Sequence, residues 1–170
     1  SATVARHETD EIGLWHGIAK VLGNPQMWMI GFVSAVIYLP LSVIAALWGN
    51  SMLETIDNLD PKRASLAISM LAIGWLIGCP IVGMLSDRMK RRRPFLLLGC
   101  LGGGVTMLIL LIPNISYGLL IVLLLISGLV TSSQATTFAL AMEVNARRFR
   151  ATSVAICNFL VMLIAAFLQV

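Results

Sequence analysis

Charge is what this sequence has least of. Asp, Glu, Lys and Arg make up 12% of its 170 residues, about half the roughly 25% with which a soluble domain solvates its surface. Chemistry-bearing motifs are missing as well. There is no GxSxG, HExxH or phosphate-cradling glycine loop, and the two histidines, His7 and His16, both lie near the N-terminus. Cys79, Cys100 and Cys157 are an odd set, far apart and without CxxC spacing, which fits buried thiols acting as small apolar residues. These absences argue against an enzyme and call for no cofactor and no metal. The first 25 residues are polar and hold no signal-peptide core.

What is present is apolar, 58% of the chain, and it comes in five blocks at about 27–48, 66–86, 94–112, 117–141 and 151–170. A hydrocarbon layer of about 30 Å takes about 20 helical residues to cross, and each block meets that length. All twelve basic and all eight acidic residues fall outside the blocks. The expected fold is all-α: a polytopic helical membrane protein with five spans, whose first partner is the lipid bilayer. The organisation expected is a linker over residues 1–24, carrying an interfacial helix, and a transmembrane bundle over 25–170. The chain opens on Ser1 and its fifth block runs to Val170, so a piece of a longer polypeptide is expected.

Between the blocks the charge is uneven. Residues 87–93 hold five basic residues and Asp87, and 142–150 hold Arg147, Arg148 and Arg150 against Glu143. By contrast, 49–65 balances Glu54, Asp57 and Asp60 against Lys62 and Arg63, and the 113–116 turn (PNIS) is uncharged. Basic loops stay cytoplasmic, which puts the N-terminus, 87–93 and 142–150 inside an inner or plasma membrane and the other two loops outside. The stretch "GMLSDRMKRRR" has the composition of a nucleic-acid patch, yet it is confined between two spans with no interleaved aromatics. A cluster that sets orientation and touches anionic lipid suits it better, so no nucleic-acid partner is expected. Residues 10–23 place Ile12, Trp15, Ala19 and Leu22 in one stripe, with Asp10, Glu11, His16 and Lys20 largely off it, as in a helix lying on the inner surface.

The spans carry Gly74-x-x-x-Gly78 and Gly99-x-x-x-Gly103, spacings that let helix backbones approach closely, and Pro80 is expected to bend the second span. Ser127, Thr131, Gln134 and Thr137 make a polar face on the fourth, and Asn158 lies at a similar depth on the fifth. Tyr38 and Trp75 fall near mid-membrane. Polar groups there face protein or a water-filled cavity. Both readings stand: interhelical hydrogen bonding, or a cavity lined by Tyr38, Trp75, Gln134 and Asn158.

Two stretches are similar to one family. "GMLSDRMKRRR" resembles the signature G-x-L-a-D-R-x-G-R-R of the major facilitator superfamily, with Gly83, Leu85, Asp87, Arg88, Arg91 and Arg92 in place and Lys90 where the family most often has Gly. "AMEVNARRFRATSVA" resembles the segment between the fourth and fifth helices of a half. There Glu143, Arg148, Arg150 and Thr152 fit, while Ala146 and Ala151 replace Pro and Gly. The resemblance implies part of the second six-helix half of a transporter, with a first-half placement as the alternative. Its partners would be the missing half and a small-molecule substrate. It also implies an inner gate in which Asp87 meets Arg150 and the start of the fifth span, while Arg91 meets Glu143. A non-transporting sensor, receptor or assembly partner built on the same bundle is the second reading.

Overall fold

The structure is a computed structural model and describes residues 13, 15–56, 58–112 and 115–168. Among them every regular element is a helix. Residues 15–22 form α1, followed by α2 (Pro25–Leu39), a π-helical segment (Pro40–Trp48) and α3 (Gly49–Ile56). α4 (Pro61–Met89), α5 (Arg93–Leu110) and α6 (Tyr117–Thr131) come next. A 3-10 turn (Ser132–Gln134) leads into α7 (Ala135–Glu143), and a second one (Arg147–Phe149) into α8 (Arg150–Leu168). Among the described residues, five rods are long and apolar enough to cross a membrane: Pro25–Thr55, Pro61–Met89, Arg93–Leu110, Tyr117–Glu143 and Arg147–Phe167.

Three of these rods carry a proline in the first turn. Pro25, Pro61 and Pro94 sit in the first turn of α2, α4 and α5, where the missing N–H has no intrahelical partner to lose. Asn24 caps α2, its Oδ1 accepting from the Gln26 N–H at 3.0 Å. The rods overrun the apolar blocks. The outer connection expected over 49–65 shrinks to 57–60, because α3 carries Glu54 and α4 carries Lys62 and Arg63 on turns beyond the apolar core. Hydropathy marks only the part of a helix that lies in hydrocarbon; the helix itself continues while its backbone bonds hold.

Pro80 lies inside α4, which runs unbroken from Pro61 to Met89. The change of helix type falls at Pro40 instead. That residue can neither donate to the carbonyl four residues back nor avoid crowding it. The rod widens to a nine-residue π segment from there, with the Gly49 N–H bonded to the Ile44 carbonyl.

The buried apolar residues gather in two main clusters. Ile44, Leu53, Ile68, Leu71, Leu110 and Leu124 form one apolar cluster. Val21, Met27, Ile30, Phe149, Ile156 and Leu160 form the other. Between them the contact surface is glycine and hydroxyl. A Cβ on Gly74 would meet the Leu125 carbonyl, and one on Gly128 the Leu71 carbonyl, so α4 and α6 touch backbone to backbone. Gly99 likewise abuts Ser133, and Gly103 abuts Pro40 and Thr131. In lipid, where apolar burial gives helices little reason to associate, such approach supplies the van der Waals contact. Many large apolar residues outside the clusters face outward: Leu76, Met84, Leu101 and Leu108 are each more than 60% exposed, as lipid-facing side chains are.

α1 packs on the bundle through Val21, fully buried, and Gly17, whose Cβ position is 3.2 Å from the Phe149 ring. Trp15 and Ala19 of the expected stripe turn away from the bundle, Trp15 at 71% exposure. Ile12 of that stripe, and Asp10 and Glu11 off it, lie outside the described residues, as do Asp57, Pro113 and Asn114 of the two turns expected outside.

The α4–α6 contact makes a sharp stability prediction. Gly128→Val forces backbone apart and is expected to destabilise by at least about 1–3 kcal/mol. Gly104→Ala, with nothing within 4 Å of its Cβ position, is expected to be neutral or slightly stabilising, by up to about 1 kcal/mol. Denaturant unfolding followed by helical circular dichroism in detergent reads both.

Candidate functional site

One end of the bundle collects Asn24, residues 86–93 and residues 143–150. Asn24 Nδ2 donates to the Val144 carbonyl at 3.2 Å and to Asn145 Oδ1 at 3.3 Å, tying the start of α2 to the end of α7. Among the described residues, nine basic ones lie at this end, Lys20, Arg88, Lys90, Arg91, Arg92, Arg93, Arg147, Arg148 and Arg150, against Asp87 and Glu143. At the opposite end, Tyr117 Oη donates to the Arg63 carbonyl at 3.3 Å while the Arg63 guanidinium sits 5.7 Å from the Tyr117 ring centre.

α4 stops at Met89 because Lys90 turns left-handed, with φ 50° and ψ 30°, its N–H returning to the Asp87 carbonyl at 3.3 Å. This is the position where the resembled signature has glycine, the residue that adopts φ > 0 without a Cβ clash. The turn brings Arg92 back over the end of α4. Arg92 Nη1 lies 2.6 Å from Asp87 Oδ1 and 3.1 Å from Ser86 Oγ. Its other edge reaches α7: Nη2 donates to Glu143 Oε1 at 2.8 Å, and Nε donates to the same oxygen at 3.2 Å. One guanidinium thus joins the last turn of α4, the α4–α5 turn and the last residue of α7.

The hydrogen bond that Arg92 donates to Glu143 is the main influence that raises the Arg92 pKa above its ordinary value. Partial desolvation opposes it, and Asp87 adds to it. A raised pKa in a cation means its stabilisation is complete below the ordinary value and is lost only as pH climbs through the raised one, so Arg92 holds its charge at neutral pH. Arg92 is 17% exposed, but Asp87 is 67% and Glu143 50% exposed. Solvent screening therefore keeps each contact at about 1 kcal/mol or less.

The pairings implied by the resemblance are corrected here. Arg92, not Arg91, meets Glu143, and Asp87 meets Arg92 rather than Arg150. Asp87 and Arg91 share a face only if the helix continues to Arg91, and it ends at Met89. Arg91, Arg88 and Arg150 are exposed, while Arg148 lies over the Phe149 ring at 4.5 Å from its centre. Gly83 has nothing within 4 Å of its Cβ position, so no close approach demands glycine there.

The four polar candidates at depth do not converge on one cavity. Gln134 is inside the bundle at 4% exposure. Asn158 is on the outer face of α8, because Cys157, Leu160 and Val161 take its inner face. Tyr38 and Trp75 are half-buried. The polar face of the fourth span serves packing: Ser127, Thr131 and Thr137 are buried, and Thr137 Oγ1 and Ser34 Oγ lie 2.8 Å apart across to α2. Ser86, fully buried under Arg92, was open to notice as the small polar residue ending an apolar block.

A bundle of membrane-crossing helices with small-residue contacts and a charged clasp at one end defines a polytopic helical membrane protein. Compared with models of protein families, the chain matches the Major Facilitator Superfamily over residues 3–169. It belongs to that superfamily and is a transporter of the major facilitator type, a class generally not enzymatic. No curated protein and no solved structure matches it.

Lys90 supplies the test of the turn. Lys90→Gly relieves a left-handed non-glycine residue and is expected to raise unfolding stability by up to about 1 kcal/mol, after allowance for glycine's greater chain entropy. A loss of stability in thermal unfolding would contradict the left-handed turn.

Proposed function

We propose that this chain contributes five helices of the second bundle of a secondary active transporter of a small solute, working by alternating access. Five spans are fewer than a two-bundle pathway uses, so further helices complete it. The basic end is read as cytoplasmic in an inner or plasma membrane, in keeping with the excess of basic over acidic residues in its turns 87–93 and 143–150.

The observation that carries the reading is Arg92 holding Asp87 and Glu143 at once. α4 is a 29-residue rod, so a clasp at its tip restrains its tilt relative to α7. Two contacts of about 0.5–1 kcal/mol each, made in one state and broken in the other, shift a two-state equilibrium about 5- to 30-fold. The clasp acts as a latch on the state in which this end is closed. Asn158, exposed on α8, and the half-buried Tyr38 and Trp75 are proposed to face a solute path that further helices complete.

Uptake of a panel of sugars, amino acids, organic acids and drugs into vesicles holding the complete transporter tests this. Asp87→Asn, which removes one contact, is expected to change the rate for the transported solute about 2- to 5-fold, and Arg92→Gln, which removes both, about 5- to 30-fold at equal membrane expression, while Arg147→Gln leaves it unchanged. Equal rates in all three variants would remove the latch. A folded, inserted protein that moves no solute would favour the sensor or assembly-partner reading.

A further inference from the structure

Two cavities flank Arg92. One, of about 600 Å³, is lined by Lys90, Arg91, Arg92, Arg93, Leu97 and Leu140, with Pro94. The other, of about 390 Å³, continues past Arg92, Arg93 and Leu140 to Met29, Val33 and Leu96. The cavities share three wall residues and so form one groove across the start of α5, α2 and the end of α7.

The two walls of the groove differ in chemistry. Among the described residues the ion pairs are those of Arg92, which take up both Asp87 and Glu143. Lys90, Arg91 and Arg93 are exposed, and no carboxylate lines the groove beside them. One turn deeper the lining is apolar: Leu97 is 62% and Met29 70% exposed. The charges and the apolar floor are separated by about 6 Å along α5, the separation of headgroup from acyl chain at a bilayer surface. A soluble anion would satisfy the rim and leave the floor bare, whereas an anionic amphiphile satisfies both.

We infer that this groove is a binding site for an anionic phospholipid of the adjoining leaflet, its phosphate held by Arg91 and Arg93 and its chains lying on Leu97 and Met29. The site requires only that the chain span a membrane and stands apart from the transport reading. Arg92 lines the groove but is engaged by its carboxylates, so the headgroup goes to its neighbours.

The test titrates the purified full chain in neutral detergent with dioleoylphosphatidylglycerol or dioleoylphosphatidylcholine and counts retained lipid by native mass spectrometry. Phosphatidylglycerol is expected to be retained preferentially. The double variant Arg91→Gln/Arg93→Gln should weaken it about 30-fold, the loss of two surface cations each worth about 1 kcal/mol. The charge-matched pair Lys20→Gln/Arg147→Gln should weaken it less than about 3-fold, with circular dichroism checking that each variant keeps its helix content. Leu97→Ser should weaken phosphatidylglycerol retention while inorganic phosphate fails to displace the lipid. Equal retention of the two lipids overturns the inference, and so does equal loss in the control pair, which would mean diffuse charge. Displacement by inorganic phosphate with no effect of Leu97→Ser overturns it in favour of a soluble-anion site. The two-lipid comparison and Leu97→Ser decide the matter even if the double variant fails to fold.

Discussion

Hydrocarbon offers a peptide group nothing to bond with and a charge nothing to solvate it, and the whole architecture answers to those two costs. The first makes every described crossing a helix. The second sweeps the charge of the described residues to the helix ends and the turns that join them. The only contacts left for the middle of the bundle are close packing and hydroxyl bonds, and Gly74, Gly128, Gly99 and the Ser34–Thr137 pair supply them.

Because charge gathers at the helix ends and the turns between them, a single turn can govern how rods are held relative to one another. Lys90 ends α4 in a left-handed step, and that step decides which arginine faces back toward Asp87. The guanidinium then has two carboxylates within reach, one on its own side of the turn and one on α7. Each contact is modest because water reaches the carboxylates. Modest contacts are what the proposed latch needs, since a strong one would trap the transporter in a single state.

The five spans were legible because hydropathy over about 20 residues is a long, redundant signal, and the two basic turns because their motifs are dense. The overrun of α3 and α4 into charged sequence was not, since Glu54, Lys62 and Arg63 read as loop although a helix can carry them past the membrane edge. Pro40 stood in plain view within the first block, but its consequence, a π segment, depends on how the backbone relaxes around it. The exchange of Arg91 for Arg92 was invisible to helical spacing because the relevant residues straddle a turn of the opposite hand. Asn158 and Gln134 share a depth by residue count, yet depth says nothing of which way a side chain turns about its helix.

The account rests on Arg92 bridging to α7, and a pair of double-mutant cycles on unfolding free energy measures that directly. Arg92→Gln combined with Glu143→Gln is predicted to show a coupling of about 0.5–1.5 kcal/mol. Arg91→Gln combined with Glu143→Gln is predicted to show one indistinguishable from zero. Coupling to Arg91 with none to Arg92 would contradict the bridge and the turn that builds it.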